Sequence, residues 1–197
     1  VVIRLDGKAF HTLTKKCLKP YDSKLRQALV DATKILMDEV PARLAYHQSD
    51  EISLLFVDYN KFNSQQWFDG VIQKMVSVAA SVMGVEFSNR WGASGYFDAR
   101  AFAVPERDIK NYFIWRQADC MRNSVSMAAQ AHFSAKTLHH KSNLDKLAML
   151  SDKNVKYDEM PDWFRFGSLI TRTNIVAAPV FVDNKEFLDH FLEIEEK

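Results

Sequence analysis

The sequence has few cysteines and no long apolar run. Only two cysteines, Cys17 and Cys120, occur among its 197 residues. They are too few for a disulfide framework, so both are expected to be reduced thiols without a catalytic role. No stretch approaches the roughly 20 apolar residues that a membrane-spanning helix needs, and nothing resembles a signal peptide. These absences predict a soluble, cytoplasmic protein without a membrane partner.

The sequence also has no large excess of positive or negative charge. The formal net charge of +1 neither supports nor excludes a nucleic-acid partner, because phosphate binding depends on where lysines and arginines cluster. With 47% hydrophobic residues, the chain is long enough to bury one sizeable core. Composition therefore favours a single globular domain with a short appendage.

Apolar periodicity predicts alternating strands and helices in the first half of the chain. The predicted elements are a strand over 1–5, a helix over 23–40, a hairpin over 44–56, a helix from a Ser64 cap to Gly84, and a strand over 96–104. This order is that of the split ferredoxin-like arrangement and of polymerase palm domains. The predicted fold class is α+β, with an antiparallel sheet and helices on one face.

The second half is predicted to be helical. A helix should follow Pro105 and continue to Phe133, and Ser142 with Asp145 resembles a capping box that opens another helix. Residues 161–166 are typical of a short helical anchor. We therefore predict a palm-like catalytic domain over 1–134 and a helical C-terminal extension over 135–197, packed on the same domain.

Three carboxylates stand at the predicted strand ends. Asp6 follows the first strand, and Asp50 with Glu51 lies at the hairpin tip, so the topology would place them side by side. Oxygen ligands of this kind suit Mg²⁺, and carboxylates can bridge two metals for phosphoryl transfer. Spacing alone leaves the alternative open that Asp-Gly is a turn and Ser-Asp-Glu a polar hairpin tip.

Motif context decides between these interpretations. Residues 2–11, Val-Ile-Arg-Leu-Asp-Gly-Lys-Ala-Phe-His, and 48–51, Gln-Ser-Asp-Glu, resemble the metal-binding segments of the tRNA-histidine guanylyltransferase family. Further similar segments are 97–100 (Phe-Asp-Ala-Arg), 115–120 (Trp-Arg-Gln-Ala-Asp-Cys) and 164–168 (Phe-Arg-Phe-Gly-Ser). They occur in the family's order and span most of the chain.

The resemblance implies an activity. Members of the family have a palm-like domain that adds nucleotides in the 3′-to-5′ direction, and a tRNA 5′-monophosphate is activated with a nucleoside triphosphate before the 3′-hydroxyl of GTP attacks it. The implied cofactor is Mg²⁺, two ions per site, and the implied substrates are GTP and ATP. The implied partners are tRNA and nucleoside triphosphates, in a homo-oligomer that is generally a tetramer.

The resemblance also implies roles for individual residues. Asp6 and Asp50 would ligate the metals, Gly7 would add its backbone carbonyl, and Glu51 would support this catalytic centre from beside it. The implied nucleotide-binding residues are Asp6, Gly7, Lys8, Ala9, Phe10, His11, Lys19, Asp22, Ser49, Asp50, Arg100, Asn123 and Lys146.

Some of these residues have alternative explanations. Lys19 is also explained as a solvated loop charge, and Asp22 as the cap of the following helix. Arg100, in an otherwise apolar strand, needs a carboxylate or a phosphate, and phosphate is the preferred partner. Asn123 and Lys146 are equally consistent with a helix surface.

One segment departs from the family pattern. Where the eukaryotic enzymes carry His-Ile-Asn-Asn-Leu-Tyr-Asn, residues 121–127 read Met-Arg-Asn-Ser-Val-Ser-Met, and only Asn123 is retained. The departure favours template-dependent repair of tRNA 5′ ends over strict addition of G to tRNA-histidine. A palm-type nucleotide cyclase and a non-catalytic RNA-binding module are further alternatives, although the Gly-Gly-Asp/Glu-Glu-Phe tip of diguanylate cyclases is missing.

The remaining aromatic and histidine residues are assigned to structure. His139 and His140 are adjacent in the sequence, so their side chains are expected to project in different directions, and no further ligand lies nearby at zinc spacing. Tyr112 and Trp115 are expected to pack rather than stack on bases. Trp115 with Phe113 is the expected source of an oligomer interface.

Overall fold

The computed structural model describes residues 1–57 and 65–177. The strands are β1 (Val2–Gly7), β2 (Leu44–Gln48), β3 (Glu51–Leu55), β4 (Phe97–Phe102), β5 (Ser168–Ile170) and β6 (Ile175–Val176). The helices are α1 (Phe10–Leu13), α2 (Ser23–Glu39), α3 (Ile72–Trp91), α4 (Glu106–His132), α5 (Ala135–Leu138), α6 (Asn143–Asp152) and α7 (Asp162–Phe166).

The strands form one antiparallel sheet in the order β4-β1-β3-β2-β5-β6. The first four strands in this order make up the ferredoxin-like sheet, which confirms the predicted fold class. β5 pairs with β2 and thereby extends the sheet. The C-terminal part therefore adds two strands to the helices that were predicted for it, while the boundary at residue 134 stays a prediction.

Helices α2 and α3 cover one face of the sheet. Ile3 and Leu5 alternate with Val2 and Arg4 along β1, so only the first pair reaches the core beneath these helices. The apolar side chains that meet there include Ala45, Ile52, Leu54, Leu29, Leu36, Met75, Met83 and Phe87. This layer holds the strand ends that carry the candidate site.

Helix α4 covers part of the opposite face. That face presents apolar side chains of the three central strands, which need cover from water. Val2, Leu44, Tyr46 and Leu55 form a buried cluster there with Ile109, Tyr112 and Phe113 of α4. The predicted interface role of Phe113 is wrong, because Phe113 is fully buried against the sheet, whereas Trp115 is 49% exposed.

Helix α3 differs from its prediction at both ends. Ser64, the predicted cap, lies outside the described residues, and α3 begins at Ile72 and continues through Gly84 to Trp91. A β carbon at Gly84 would lie 3.3 Å from the backbone oxygen of Gly95. Gly84 therefore serves close packing, and the helix ends instead at Gly92, whose φ of 77° is left-handed.

Helices α4, α6 and α7 agree with their sequence signals, whereas the short helices α1 and α5 were not predicted. α4 has 27 residues between Pro105 and Phe133, and Ser142 with Asp145 forms the predicted capping box of α6. Leu150 of α6 and Phe164 of α7 are buried against Ala128 and Ala129 of α4. Within the described ranges, no helix is both long and apolar enough to cross a membrane.

Candidate active site

Two strand ends bring Asp6 and Asp50 to the same edge of the sheet. The antiparallel register of β1 and β3 pairs Asp6 with Glu51. The backbone N–H of Gly7 donates to the carbonyl oxygen of Asp50 at 3.1 Å, which fastens the end of β1 to the hairpin tip. Both aspartates line a cavity of about 610 Å³ that the sheet, α2 and α4 enclose.

The backbone at this edge is held in uncommon conformations. Ala9, with φ 55°, and Ser49, with φ 51°, are both left-handed without being glycine, a local strain that tends to cluster at functional sites. A β carbon at Gly7 would overlap the ring of Phe10, so glycine is required where the chain turns after β1. The loop is fastened on its other side by a 2.8 Å hydrogen bond from the Lys8 N–H to the Tyr96 carbonyl.

The charge of Asp50 is disfavoured in the folded chain. Burial raises the pKa of Asp50, and the negative charge of Asp6 raises it further, against hydrogen bonds from its own backbone and from Ser49 that lower it. Neither aspartate forms an ion pair with the described residues. Two close carboxylates without a cationic side chain suit a hard divalent cation. The described residues contain no cluster of three His, Cys, Asp or Glu side chains for a metal. The further ligand that the family resemblance implies is the backbone carbonyl of Gly7.

Glu51 is engaged differently from the two aspartates. Its two carboxylate oxygens accept hydrogen bonds of 2.8 Å from Nε and Nη2 of Arg116. Arg116 is only 4% exposed and also contacts Asp119 at 3.0 Å. Burial raises the pKa of Glu51, whereas the charges of Arg116 and Arg4 act to lower it.

Comparison with known proteins gives the family. A family model described as tRNAHis guanylyltransferase (Thg1) matches residues 1–105. The chain belongs to this family. Membership makes it a guanylyltransferase-like nucleotidyltransferase, as the sequence motifs predicted.

Solved structures of the guanylyltransferase family share the fold. A "Bacterial tRNA(HIS) Guanylyltransferase (Thg1)-Like Protein in complex with ATP" is 36% identical with a TM-score of 0.93, covering 96% of this chain and 89% of that one. The corresponding complex with GTP is 34% identical with a TM-score of 0.85, covering 97% and 88%. The tRNA(His) guanylyltransferase of Saccharomyces cerevisiae is 25% identical with a TM-score of 0.77, covering 89% and 86%.

Curated relatives are longer than this chain. An uncharacterized protein, R259, of Acanthamoeba polyphaga mimivirus is 27% identical over 86% of this chain and 69% of its own length. A probable tRNA(His) guanylyltransferase of Bos taurus is 28% identical over 86% of this chain and 63% of its own length. The chain thus spans about two thirds of these two relatives.

Most of the residues that the guanylyltransferase resemblance implied meet at one cavity. Those lining it are Asp6, Gly7, Ala9, Phe10, His11, Lys19, Asp22, Ser49, Asp50, Glu51 and Asn123. Phe10 also anchors the loop in the core, with its ring centroid 5.2 Å from those of both Phe87 and Phe97.

Three of the implied residues do not line the cavity. Lys8 is exposed beside it, and the exposed side chain of Arg100 lies 3.7 Å from Asp98 on the outer strand β4. The Lys146 ammonium donates at 2.9 Å to the hydroxyl of Ser126, which does line the cavity, so Lys146 lies next to the cavity without lining it.

Asp22 has the structural role that was its alternative explanation. Its carboxylate accepts hydrogen bonds from the backbone of Leu18, Lys24 and Leu25, which caps α2 and closes the preceding loop. Those backbone hydrogen bonds lower its pKa. Lys19 donates weakly to the Thr14 carbonyl at 3.4 Å and stays exposed.

Sequence reasoning missed the partner of Glu51. Arg116 lies on the buried stripe of α4, three residues after Phe113 and four before Cys120. A charged residue at such a buried helical position requires a partner, and this was the signal that could have identified it. No comparable pattern marks Arg26 and His47, which also line the cavity.

Proposed function

We propose that this protein adds nucleotides to the 5′ end of tRNA in the 3′-to-5′ direction, with GTP and ATP as substrates and Mg²⁺ as cofactor. The observation that carries the proposal is the meeting of Asp6 and Asp50 at one cavity in a chain of this family. Two similar structures are complexes with ATP and with GTP. The cavity is large enough for a nucleotide with room to spare.

Different groups of the chain have different roles in this proposal. Asp6, Asp50 and the Gly7 carbonyl would hold two Mg²⁺ ions, which when bound neutralise phosphate charge and hold attacking and leaving oxygens in line. His11 and Lys19 line the cavity and can donate to phosphate oxygens. The Arg116–Glu51 pair joins α4 to β3 and so keeps the hairpin tip in position.

The stretch 121–127 supports the choice of template-dependent repair over strict G addition. The Ser124 hydroxyl lies 2.6 Å from that of Tyr157, and the Ser126 hydroxyl is bound by Lys146. Asn123 donates to Asp119 at 3.2 Å. Each of these polar side chains therefore has a partner within the protein, although all three line the cavity. In the repair proposal, base pairing with the opposite strand of the acceptor stem selects the incoming nucleotide.

The test uses tRNAs that lack one 5′ nucleotide and differ in the base opposite the gap. Each is offered all four labelled triphosphates. The complementary nucleotide should be incorporated at least about 10-fold faster than the others, since about 1.4 kcal/mol of discrimination gives a factor of ten. A reaction with EDTA in place of Mg²⁺ is the control and should show no incorporation. Addition of G alone to tRNA-histidine, whatever the opposite base, would contradict the repair proposal.

The expected homo-oligomer belongs to the same proposal. Trp115 is half exposed and lies on the guanidinium of Arg116, 4.4 Å from its ring centroid, so it offers a rigid aromatic surface for a second copy. Sedimentation velocity should show an assembly, and Trp115→Ser should shift it toward the monomer. A wild-type monomer at assay concentrations would overturn the expectation, and Tyr96→Ser, at another exposed aromatic residue, is the matched control.

A further inference from the structure

One corner of the cavity contains a cation that has no carboxylate partner among residues 1–57 and 65–177. Arg26 projects from α2 and lines the cavity. Its Nη2 donates to the Ser168 hydroxyl at 3.3 Å and its Nη1 to the Gln27 side chain at 3.5 Å. Its Nε is buried and lacks a hydrogen-bond partner among the described residues. Asp31 interacts electrostatically with Arg26 but is too far away to form an ion pair with it.

A buried histidine faces the same corner. His47 is 4% exposed and lines the cavity, and its Nε2 has no partner within the described part of the chain. The ring hydrogen-bonds to the backbone of Ser49, beside the candidate metal ligands. Burial and the charge of Arg26 lower the pKa of His47 to about 4, so the ring is neutral near pH 7.

We propose that Arg26 and His47 form a phosphate-binding subsite in the cavity, separate from the metal ligands; the proposal rests on the function proposed above. The Nε–H of Arg26 donates to a phosphate oxygen. The free Nε2 of His47 accepts a hydrogen bond from a hydroxyl beside that phosphate, such as a ribose hydroxyl or a phosphate O–H.

The surroundings favour a phosphate of a nucleotide or nucleic acid over other anions. The guanidinium lies 5.7 Å from the ring centroid of Trp163, which also lines the cavity. An aromatic ring beside a guanidinium suits a ligand that has both a base and a phosphate. Arg26 is half-buried, and an anion that binds there offsets the cost of partly desolvating its charge.

Phosphate at this subsite has two possible sources, a free nucleoside triphosphate and the RNA. Binding is therefore measured without turnover, by titrating the full chain with ATP, with a 5′-phosphorylated acceptor-stem hairpin and with the same hairpin carrying a 5′-hydroxyl. Arg26→Gln removes the charge and keeps a polar amide. Lys24→Gln, an exposed lysine of the same helix that does not line the cavity, is the matched control.

Arg26→Gln should lower the affinity for at least one of the three ligands by about 10- to 100-fold, the range expected for a lost charge-assisted hydrogen bond. Lys24→Gln should change each affinity by less than about 3-fold. A loss of affinity for ATP shows that the subsite binds the triphosphate. A loss for the 5′-phosphorylated hairpin alone shows that it binds the 5′-phosphate of the RNA. An equal loss for both hairpins shows that it binds an internal phosphate of the RNA. Arg26→Lys, which keeps the charge without the planar fork, should lose less and replaces Arg26→Gln if that variant does not fold.

Unchanged affinity for all three ligands in the folded Arg26 variant would overturn the subsite. The binding titrations do not depend on catalysis. If the wild type binds through Arg26 and incorporates no nucleotide, the proposed function fails and the subsite stands. If the wild type incorporates nucleotides and the Arg26 variants bind normally, the subsite fails alone.

Discussion

Asp50→Asn is expected to lower nucleotide addition by about 10²- to 10³-fold, the usual cost of removing one group that stabilises charge in a transition state. Asparagine keeps the shape of the side chain but removes the negative charge that would hold the metal ions. Asp6→Asn should have an effect of similar size, because both carboxylates line the same cavity edge. Single-turnover incorporation of labelled GTP into a 5′-truncated tRNA measures the loss.

The stability of the Asp50→Asn variant separates lost chemistry from a lost fold. Since burial and the charge of Asp6 both disfavour the ionised form of Asp50, the neutral asparagine should leave the melting temperature unchanged or raise it. Asp152→Asn, at the exposed end of α6, is the matched control and should retain full activity. The metal-ligand role would be refuted if the folded Asp50→Asn variant kept activity within about 3-fold of wild type. A 3-fold change corresponds to a change in the activation barrier of about 0.7 kcal/mol.

Arg116→Ala is expected to lower the free energy of unfolding by about 3–5 kcal/mol, because it leaves a buried carboxylate without its cation. Arg116 holds both oxygens of Glu51 and one of Asp119 from a buried position. Urea denaturation at neutral pH measures the loss. Nucleotide addition should fall as well, since Glu51 directly follows Asp50.

Arg122→Ala provides the matched comparison for Arg116. Arg122 contacts the same Asp119, also at 3.0 Å, but its side chain is more than half exposed, so its loss should cost less than about 1 kcal/mol. The double variant Glu51→Gln with Arg116→Met should recover much of the stability lost in Arg116→Ala, because no charge is left unpaired on residue 51. Equal losses for Arg116→Ala and Arg122→Ala would contradict the importance of the buried pair.

Local signals explain why most helices and strands were predicted correctly. Asp22 precedes α2, and Ser142 with Asp145 opens α6, and each cap depends on residues within three or four positions. The end of α3 was misplaced because Gly84 packs against Gly95, a contact that apolar periodicity does not encode. The short strands β5 and β6 were missed because pairing with β2, distant in sequence, stabilises them.

The sequence by itself determined the family, the order of the longer helices and strands and the two aspartates at strand ends, because repeated apolar spacing and contiguous motifs are properties of neighbouring residues. Only the tertiary structure decided which charges meet. Glu51 and Arg116 are 65 residues apart, and Arg26 and Ser168 are 142 apart. Such pairs form only after the sheet register and helix packing are complete. The same packing pairs Arg116 with Glu51 and places Arg26 at the cavity without an ion-pair partner among the described residues.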